Sequence, residues 1–146
     1  MARFDVSTTI KRPVEDVFAV MSNVENNPKW SSVALEAEQT SPGPIGVGTT
    51  ARVVAKVLGR RMESDFEVTE FEPNRKFVSQ SKSGPFPLQL SVTFEPIEGG
   101  TRVNTTIEGE PGGFFKLAEP LVQRAIKREM EANFATLKDI LEAGSS

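Results

Sequence analysis

The sequence predicts an α+β domain in which antiparallel strands form a meander and one long helix closes the chain. Two patterns carry this expectation. From residue 33 to 109, short alternating apolar and polar runs are separated by turn residues, the signature of strands with one dry and one wet face. After Gly112-Gly113 the apolar residues change to three- and four-residue steps, the spacing of one helix face.

The first element is a strand. Phe4, Val6, Thr8 and Ile10 alternate with Asp5, Ser7, Thr9 and Lys11, so one edge of the run faces a core. Pro13, with Glu15 and Asp16 behind it, then opens a helix. Proline fits the first turn, where its missing N–H is not needed, and acids there suit the helix dipole. Val14, Val17, Phe18 and Met21 form its apolar stripe, which ends near Ser22-Asn23. Asn26-Asn27-Pro28 breaks the chain again before Trp30, giving a short second helix or a turn.

The strand region turns at Ser41-Pro42-Gly43-Pro44, Gly59-Arg60, Pro73-Asn74, Ser83-Gly84-Pro85 and Glu98-Gly99-Gly100. A two-residue turn at Gly59-Arg60 sets Val57 opposite Met62, Ala55 opposite Ser64 and Val53 opposite Phe66. Its outer face then pairs Lys56 with Glu63 and Arg52 with Glu67, and a one-residue slip would destroy both matches. The turn at Pro73-Asn74 sets Val68 opposite Ser79 and Phe66 opposite Ser81. The last hairpin pairs Phe94 with Val103, Val92 with Thr105 and Leu90 with Ile107, with Glu95 against Arg102 outside.

The closing helix carries Phe114, Leu117, Leu121 and Ala125, then Met130, Phe134, Leu137 and Leu141. Pro120 leaves two possibilities: the helix starts there, or a longer helix kinks there. Lys116, Arg124, Lys127, Arg128 and Lys138 form the solvated face.

Composition narrows the chemistry. The chain has 146 residues and a net charge of −3, with ten phenylalanines, one tryptophan and no histidine, cysteine or tyrosine. That length suits one domain, read as residues 1–143 with a disordered tail at 144–146. Ser–His–Asp triads, thiol nucleophiles, disulfides and imidazole or thiolate zinc sites are excluded. No metal site or cofactor is expected. An acidic balance argues against nucleic acid as a partner. No apolar run approaches the length of a membrane span, and the start lacks an apolar signal region. A cytoplasmic, soluble protein without stable membrane insertion is the expectation, and its oligomeric state is not legible.

The order of strand, short helices, about six more strands and a long helix resembles the helix-grip fold of the START and birch-pollen-allergen-like (SRPBCC) superfamily. Within it the chain looks most like the polyketide cyclase/dehydrase and lipid-transport branch. The residues that carry the resemblance are Ile10 through Trp30, Gly46-Val47-Gly48-Thr49, Glu70-Phe71-Glu72-Pro73, Phe94-Glu95-Pro96 with Gly99-Gly100-Thr101-Arg102-Val103, and Leu137 through Glu142. The resemblance implies a curved antiparallel sheet of about seven strands wrapped around the long helix, enclosing a mostly apolar cavity. Small inward residues on the middle strands, Ala51, Ala55, Ser64, Ser79 and Ser81, either leave room for that cavity or let the helix pack close.

On this reading the ligand contacts are Trp30, Val53, Ser64, Phe66, Phe77, Ser79, Ser81, Leu88, Leu90, Thr105, Phe114, Phe115, Leu117 and Leu121. Trp30 either covers a ligand or anchors the short helices. Phe114, Phe115 and Leu117, after two glycines, either gate the cavity or plug the core. Gly46-Val47-Gly48-Thr49 lacks the Gly-Lys-Ser/Thr ending of a phosphate loop and reads as a turn. Glu63, Asp65 and Glu67 share a strand face, which reads as a charge ladder rather than a metal site. Glu70 is the one acid–base candidate: its parity places it inward, whereas a strand-end bulge would turn it to solvent.

Three functions compete. A binder or carrier of a hydrophobic small molecule (lipid, polyketide or isoprenoid-like) fits an apolar pocket with a few hydroxyls. A cyclase or dehydratase would have to work with Glu70, a hydroxyl with bound water, or positioning alone. A regulatory protein-interaction module would use the outer sheet or the long helix, whose charged faces show no large apolar patch.

Overall fold

In the computed structural model, described over residues 2–30, 34–57, 60–83, 88–109 and 120–143, the first strand pairs with the last. Strand β1 (Ala2–Ile10) buries Phe4, Val6 and Ile10 and turns Arg3, Asp5 and Ser7 outward, following its alternation. Helix α1 (Val14–Ser22) follows Pro13 and buries Val17, Phe18 and Met21. A 3-10 turn (Val24–Asn26) leads into the one-turn helix α2 (Asn27–Trp30). Six strands come next: β2 (Ala34–Gln39), β3 (Thr50–Val57), β4 (Arg60–Glu72), β5 (Lys76–Ser83), β6 (Leu88–Ile97) and β7 (Gly100–Gly109). Helix α3 (Pro120–Ala143) closes the chain, with Pro120 as its first residue, where the missing N–H costs nothing.

The seven strands form one antiparallel sheet in the order β1-β7-β6-β5-β4-β3-β2. This is the helix-grip arrangement: a curled sheet with α3 laid along its concave side. The helix presents Met130, Asn133, Phe134, Leu137 and Leu141 as its buried stripe. Its C-terminal end is fixed to the corner after β1. The Lys11 backbone N–H donates to Glu142 Oε2 at 2.9 Å, and the Arg12 guanidinium donates to the Leu141 carbonyl at 2.8 Å. A cation at the helix C-terminus also opposes the helix dipole favourably. Among the described residues no helix is long and apolar enough to cross a membrane.

Turn chemistry sets the β6–β7 register, and a turn together with a bulge at Val68/Glu70 sets that of β4–β5, where Glu72 pairs with Lys76 beside the turn. Arg75 N–H bonds the Glu72 carbonyl at 3.0 Å around Pro73 and Asn74, and Asn74 has φ 63°. Proline followed by a left-handed asparagine is the sequence of a type II turn. Val68 lies opposite Ser79 and Phe66 opposite Ser81, as the sequence predicts. Around Glu98 and Gly99 (φ 81°) the pairs Phe94/Val103, Val92/Thr105 and Leu90/Ile107 also form as predicted, and Glu95 meets Arg102 at 3.5 Å.

The β3–β4 register differs from expectation by two residues. Val57 pairs with Arg60, so the two-residue connection is 58–59, outside the described residues, rather than Gly59-Arg60. The inner pairs are therefore Ala55/Met62, Val53/Ser64 and Ala51/Phe66. A two-residue shift keeps every side chain on its face, so alternation cannot distinguish the two registers. Charge matching fails to distinguish them because a third strand takes part. Lys56 lies opposite Arg61, but Arg61 reaches Glu36 of β2 at 3.1 Å, and Arg52 bonds Glu63 diagonally at 2.8 Å.

Strand β4 is 13 residues long and carries register shifts at Asp65/Phe66 and at Val68/Glu70. Bulges bend a strand and increase its local twist, which helps the sheet curl. The second one also re-aims side chains. After Val68 the parity reverses, so Phe71 turns inward and Glu70 turns out to pair with Lys76 at 3.1 Å. The inward orientation that simple alternation gives Glu70 is thus corrected by the bulge.

Candidate functional site

Between α3 and the concave face of the sheet lies a cavity of about 310 Å³. The sheet wall is built from alternate residues of the middle strands, with the alternation interrupted at the β4 bulge. Ala51, Val53 and Ala55 of β3, Phe66, Val68 and Phe71 of β4, and Phe77 and Ser79 of β5 all face it. Leu88, Leu90 and Val92 of β6 and Thr105 and Ile107 of β7 complete that wall. Met21 and Ser22 come from α1, Trp30 from α2, and Met130, Asn133 and Phe134 from α3. The alanines of β3 account for much of the room, because a small side chain on the inner face leaves the gap between helix and sheet unfilled.

The connection between β2 and β3 contributes Ile45 and Thr49 to the lining. Gly46 to Thr49 form a tight turn, with Thr49 N–H bonded to the Gly46 carbonyl at 3.1 Å and Gly48 at φ 92°. Gly48 N–H bonds the Val68 carbonyl at 2.9 Å, and Thr49 Oγ1 accepts from Gly46 N–H at 2.9 Å. These glycines shape a turn docked on β4. Beside the cavity, Phe18 meets Phe71, Phe77 and Phe94 edge-on with ring centroids 5.1–6.2 Å apart, which fixes α1 on the sheet. The Trp30 indole stacks on Phe134 at 5.6 Å.

Of the residues the sequence singles out, Trp30, Val53, Phe66, Phe77, Ser79, Leu88, Leu90 and Thr105 line this cavity together. Ser64 and Ser81 do not. Ser81 is instead occupied at the sheet end, where its Oγ accepts from Leu88 N–H at 2.9 Å. Phe114, Phe115 and Leu117 lie outside the described residues, as does the side chain of Leu121. Met21, Ile45, Phe71, Met130, Asn133 and Phe134 also line the cavity and are not among the contacts that the sequence predicts. Asn133 sits three residues after Met130 and four before Leu137, so it shares their helical face, but as a polar residue it interrupts the apolar stripe.

The charged side chains of β3, β4 and β5 that form ion-pair ladders lie on the other side of the sheet. Glu63 bonds Arg52 at 2.8 Å, and Glu67 bonds Lys82 at 3.0 Å. The Arg52 hydrogen bond, and then its charge, hold the Glu63 carboxyl below the usual carboxylate range. Asp5 is lowered in the same sense by hydrogen bonds from Arg3 and Thr106. None of the described cavity-lining residues is Asp, Glu, Lys or Arg. The site can therefore enclose an apolar body and offer it a few neutral polar contacts.

Comparison with known proteins places this architecture. The family model described as polyketide cyclase / dehydrase and lipid transport matches residues 1–142. A comparison with curated proteins found no match. Among solved structures, the fold is similar to TTHA0849 from Thermus thermophilus, with a TM-score of 0.81 and 23% identity over 99% of both chains. It is equally similar to a START superfamily protein from Mycobacterium smegmatis, with a TM-score of 0.81 and 14% identity over 98% of this chain and 99% of that one. The di-domain ARO/CYC protein BexL of the BE-7585A biosynthetic pathway matches with a TM-score of 0.71 and 16% identity, over 97% of this chain and 47% of BexL. At these identities the likeness is one of fold.

Proposed function

The chain belongs to the polyketide cyclase/dehydrase and lipid-transport family, and on that premise we propose that it binds or carries a hydrophobic small molecule. The observation that carries this reading is the cavity, whose described lining is aliphatic, aromatic or small and hydroxylated apart from Asn133, without a charged side chain. Its volume of about 310 Å³ falls at the lower end of ligand pockets, roughly 300–1,000 Å³. An apolar ligand gains affinity there mainly by removing its surface from water.

The competing reading is a cyclase or dehydratase. General acid–base catalysis needs a group that titrates within reach of the substrate. The chain has no histidine or tyrosine, and Glu70, the one carboxylate the sequence offers for this role, faces solvent with Lys76. Binding is favoured over chemistry on those residues.

The test is displacement of Nile red, an uncharged lipophilic dye, read by its fluorescence, together with native mass spectrometry of the purified protein. Dye emission should rise with the intact chain and fall on adding apolar competitors. Ala55→Phe, which places a ring in the cavity, should abolish the signal while leaving the far-UV circular dichroism unchanged. Absence of both dye binding and a co-purifying mass would overturn the proposal.

A further inference from the structure

Outside α3, the described arginine side chains all have acidic partners: Arg3, Arg12, Arg52, Arg61, Arg75 and Arg102 each meet a carboxylate at 3.8 Å or less. On α3, Arg124, Lys127 and Arg128 are exposed, and among the described residues none of them makes an ion pair. The charge of Lys127 reaches Asp5 on β1, but that carboxylate is already hydrogen-bonded by Arg3 and Thr106. Exposed Glu131, four residues on from Lys127 and three from Arg128, pairs with neither among the described residues. The ion pair that α3 does form, Lys138 with Glu142, lies at its other end. Spacings of three and four residues put the three cations on one face of the helix, where like charges repel. The first turn of α3 holds no acid, so the positive end of the helix dipole adds to the same field. The helix gains nothing from this arrangement, and an anionic partner accounts for it.

We propose that Arg124, Lys127 and Arg128 form a face by which the protein docks reversibly on an anionic lipid bilayer. The chain as a whole carries a charge of −3, so attraction to an anionic surface must be local. A Debye length of about 10 Å at 0.1 M salt lets one face be felt on its own. A protein partner is less well matched. Protein interfaces depend on buried aromatic or apolar anchors, and the large apolar side chain exposed on the described part of α3, Ile140, is at the far end of the helix. A bilayer needs no such anchor, because each lysine or arginine near its surface contributes by charge alone. Lys127 also stands one helical turn before Met130, which lines the cavity, so docking on this face brings the cavity wall close to the membrane. That last point, and with it the preference for lipid over another anion, rests on the cavity holding a hydrophobic molecule, whose natural reservoir is a bilayer.

Co-sedimentation of the full chain with extruded vesicles tests the face without any cargo. Vesicles of phosphatidylcholine alone are compared with vesicles in which part of the phosphatidylcholine is replaced by phosphatidylglycerol, at low salt. The protein should bind the anionic vesicles and not the neutral ones, and high salt should release it as the Debye length shrinks. Arg128→Gln should weaken binding about fivefold, and the triple change of Arg124, Lys127 and Arg128 to glutamine about a hundredfold. Arg75→Gln, which removes the same charge from the β4–β5 turn, should leave binding unchanged. All variants should keep the far-UV circular dichroism of the wild type and bind Nile red as it does, because none of these residues lines the cavity. Equal binding to both kinds of vesicle, equal effects of Arg75→Gln and Arg128→Gln, or a triple variant that binds like the wild type would overturn the docking face and leave the cavity reading intact. Binding to soluble polyglutamate more tightly than to vesicles, lost in the triple variant, would give the face to an acidic protein and overturn the lipid assignment. Vesicle binding by a chain that takes up no dye would keep the docking face and overturn the cavity reading instead.

Discussion

The indole of Trp30 lies over the ring of Phe134, with centroids 5.6 Å apart and planes 25° from parallel. The pair joins the short α2 to the middle of α3, so one contact both fixes the two helices and forms a wall of the cavity. Phe134 is 5% exposed and belongs to the main core. Phe134→Ala should cost about 3–5 kcal/mol, the usual range for removing a buried ring. Urea unfolding monitored by the single tryptophan reads this directly, and its native emission should move to longer wavelength as water reaches the indole. A loss under about 1 kcal/mol, below the range for a buried ring, would mean that the pair is peripheral.

The bulge after Val68 gives opposite expectations for neighbours in sequence. Glu70→Gln should change stability by less than about 0.5 kcal/mol, as an exposed ion pair with Lys76 contributes little. It should also leave dye binding intact. Phe71→Ala opens the cavity wall beside Phe18 and should cost about 3 kcal/mol. Reversal of the two results would put Glu70 inside and remove the bulge.

Gly100 tests a close approach rather than a turn conformation. A Cβ on it would overlap the backbone carbonyl of Ile10, and backbone cannot move aside as a flexible side chain can. Gly100→Ala should therefore destabilise by about 1–3 kcal/mol and loosen the β1–β7 pairing nearby. Faster amide exchange at Ile10 and Thr101 checks the location. A neutral substitution would show that the strands separate there at no cost.

The outer face makes a pH prediction. Arg52 lowers the Glu63 carboxyl pKa, so folding is favoured by ionisation of that group. Its contribution is fully present above the ordinary carboxylate range and is lost as pH falls through the lowered folded value. Arg52→Gln should move the Glu63 titration, followed by carboxyl carbon NMR, upward toward the ordinary value. It should also make the stability curve flatter on the acid side. An unchanged titration would mean that the ion pair is absent in solution.

Legibility of the sequence varied with the physical signal involved. Pro73-Asn74 and Glu98-Gly99 mark their turns because each needs a residue with φ above zero at one position, which Asn74 and Gly99 supply, but the predicted β4–β5 pairs form only beyond the bulge at Val68/Glu70. The β3–β4 register slid by two residues because alternation has a period of two and Arg61 found its partner on β2. The Glu70 and Phe71 exchange depends on an extra residue in β4, which leaves no mark on apolar patterning. Site residues followed the same division. Thr105 was legible from parity against Val92, whereas Asn133 was hidden by being polar on an apolar helix face.

The central claim is that the space between α3 and the sheet receives an apolar molecule, and methionine methyl NMR tests it most directly. Met21 and Met130 line the cavity, while Met62 is buried outside its lining. Titration with 2-ethylnaphthalene should shift the Met21 and Met130 methyl signals most, because an aromatic ring beside a methyl group changes its local field. The Met62 signal should move far less. Saturable binding that leaves Met21 and Met130 in place, or no shift at any methionine, would contradict the account.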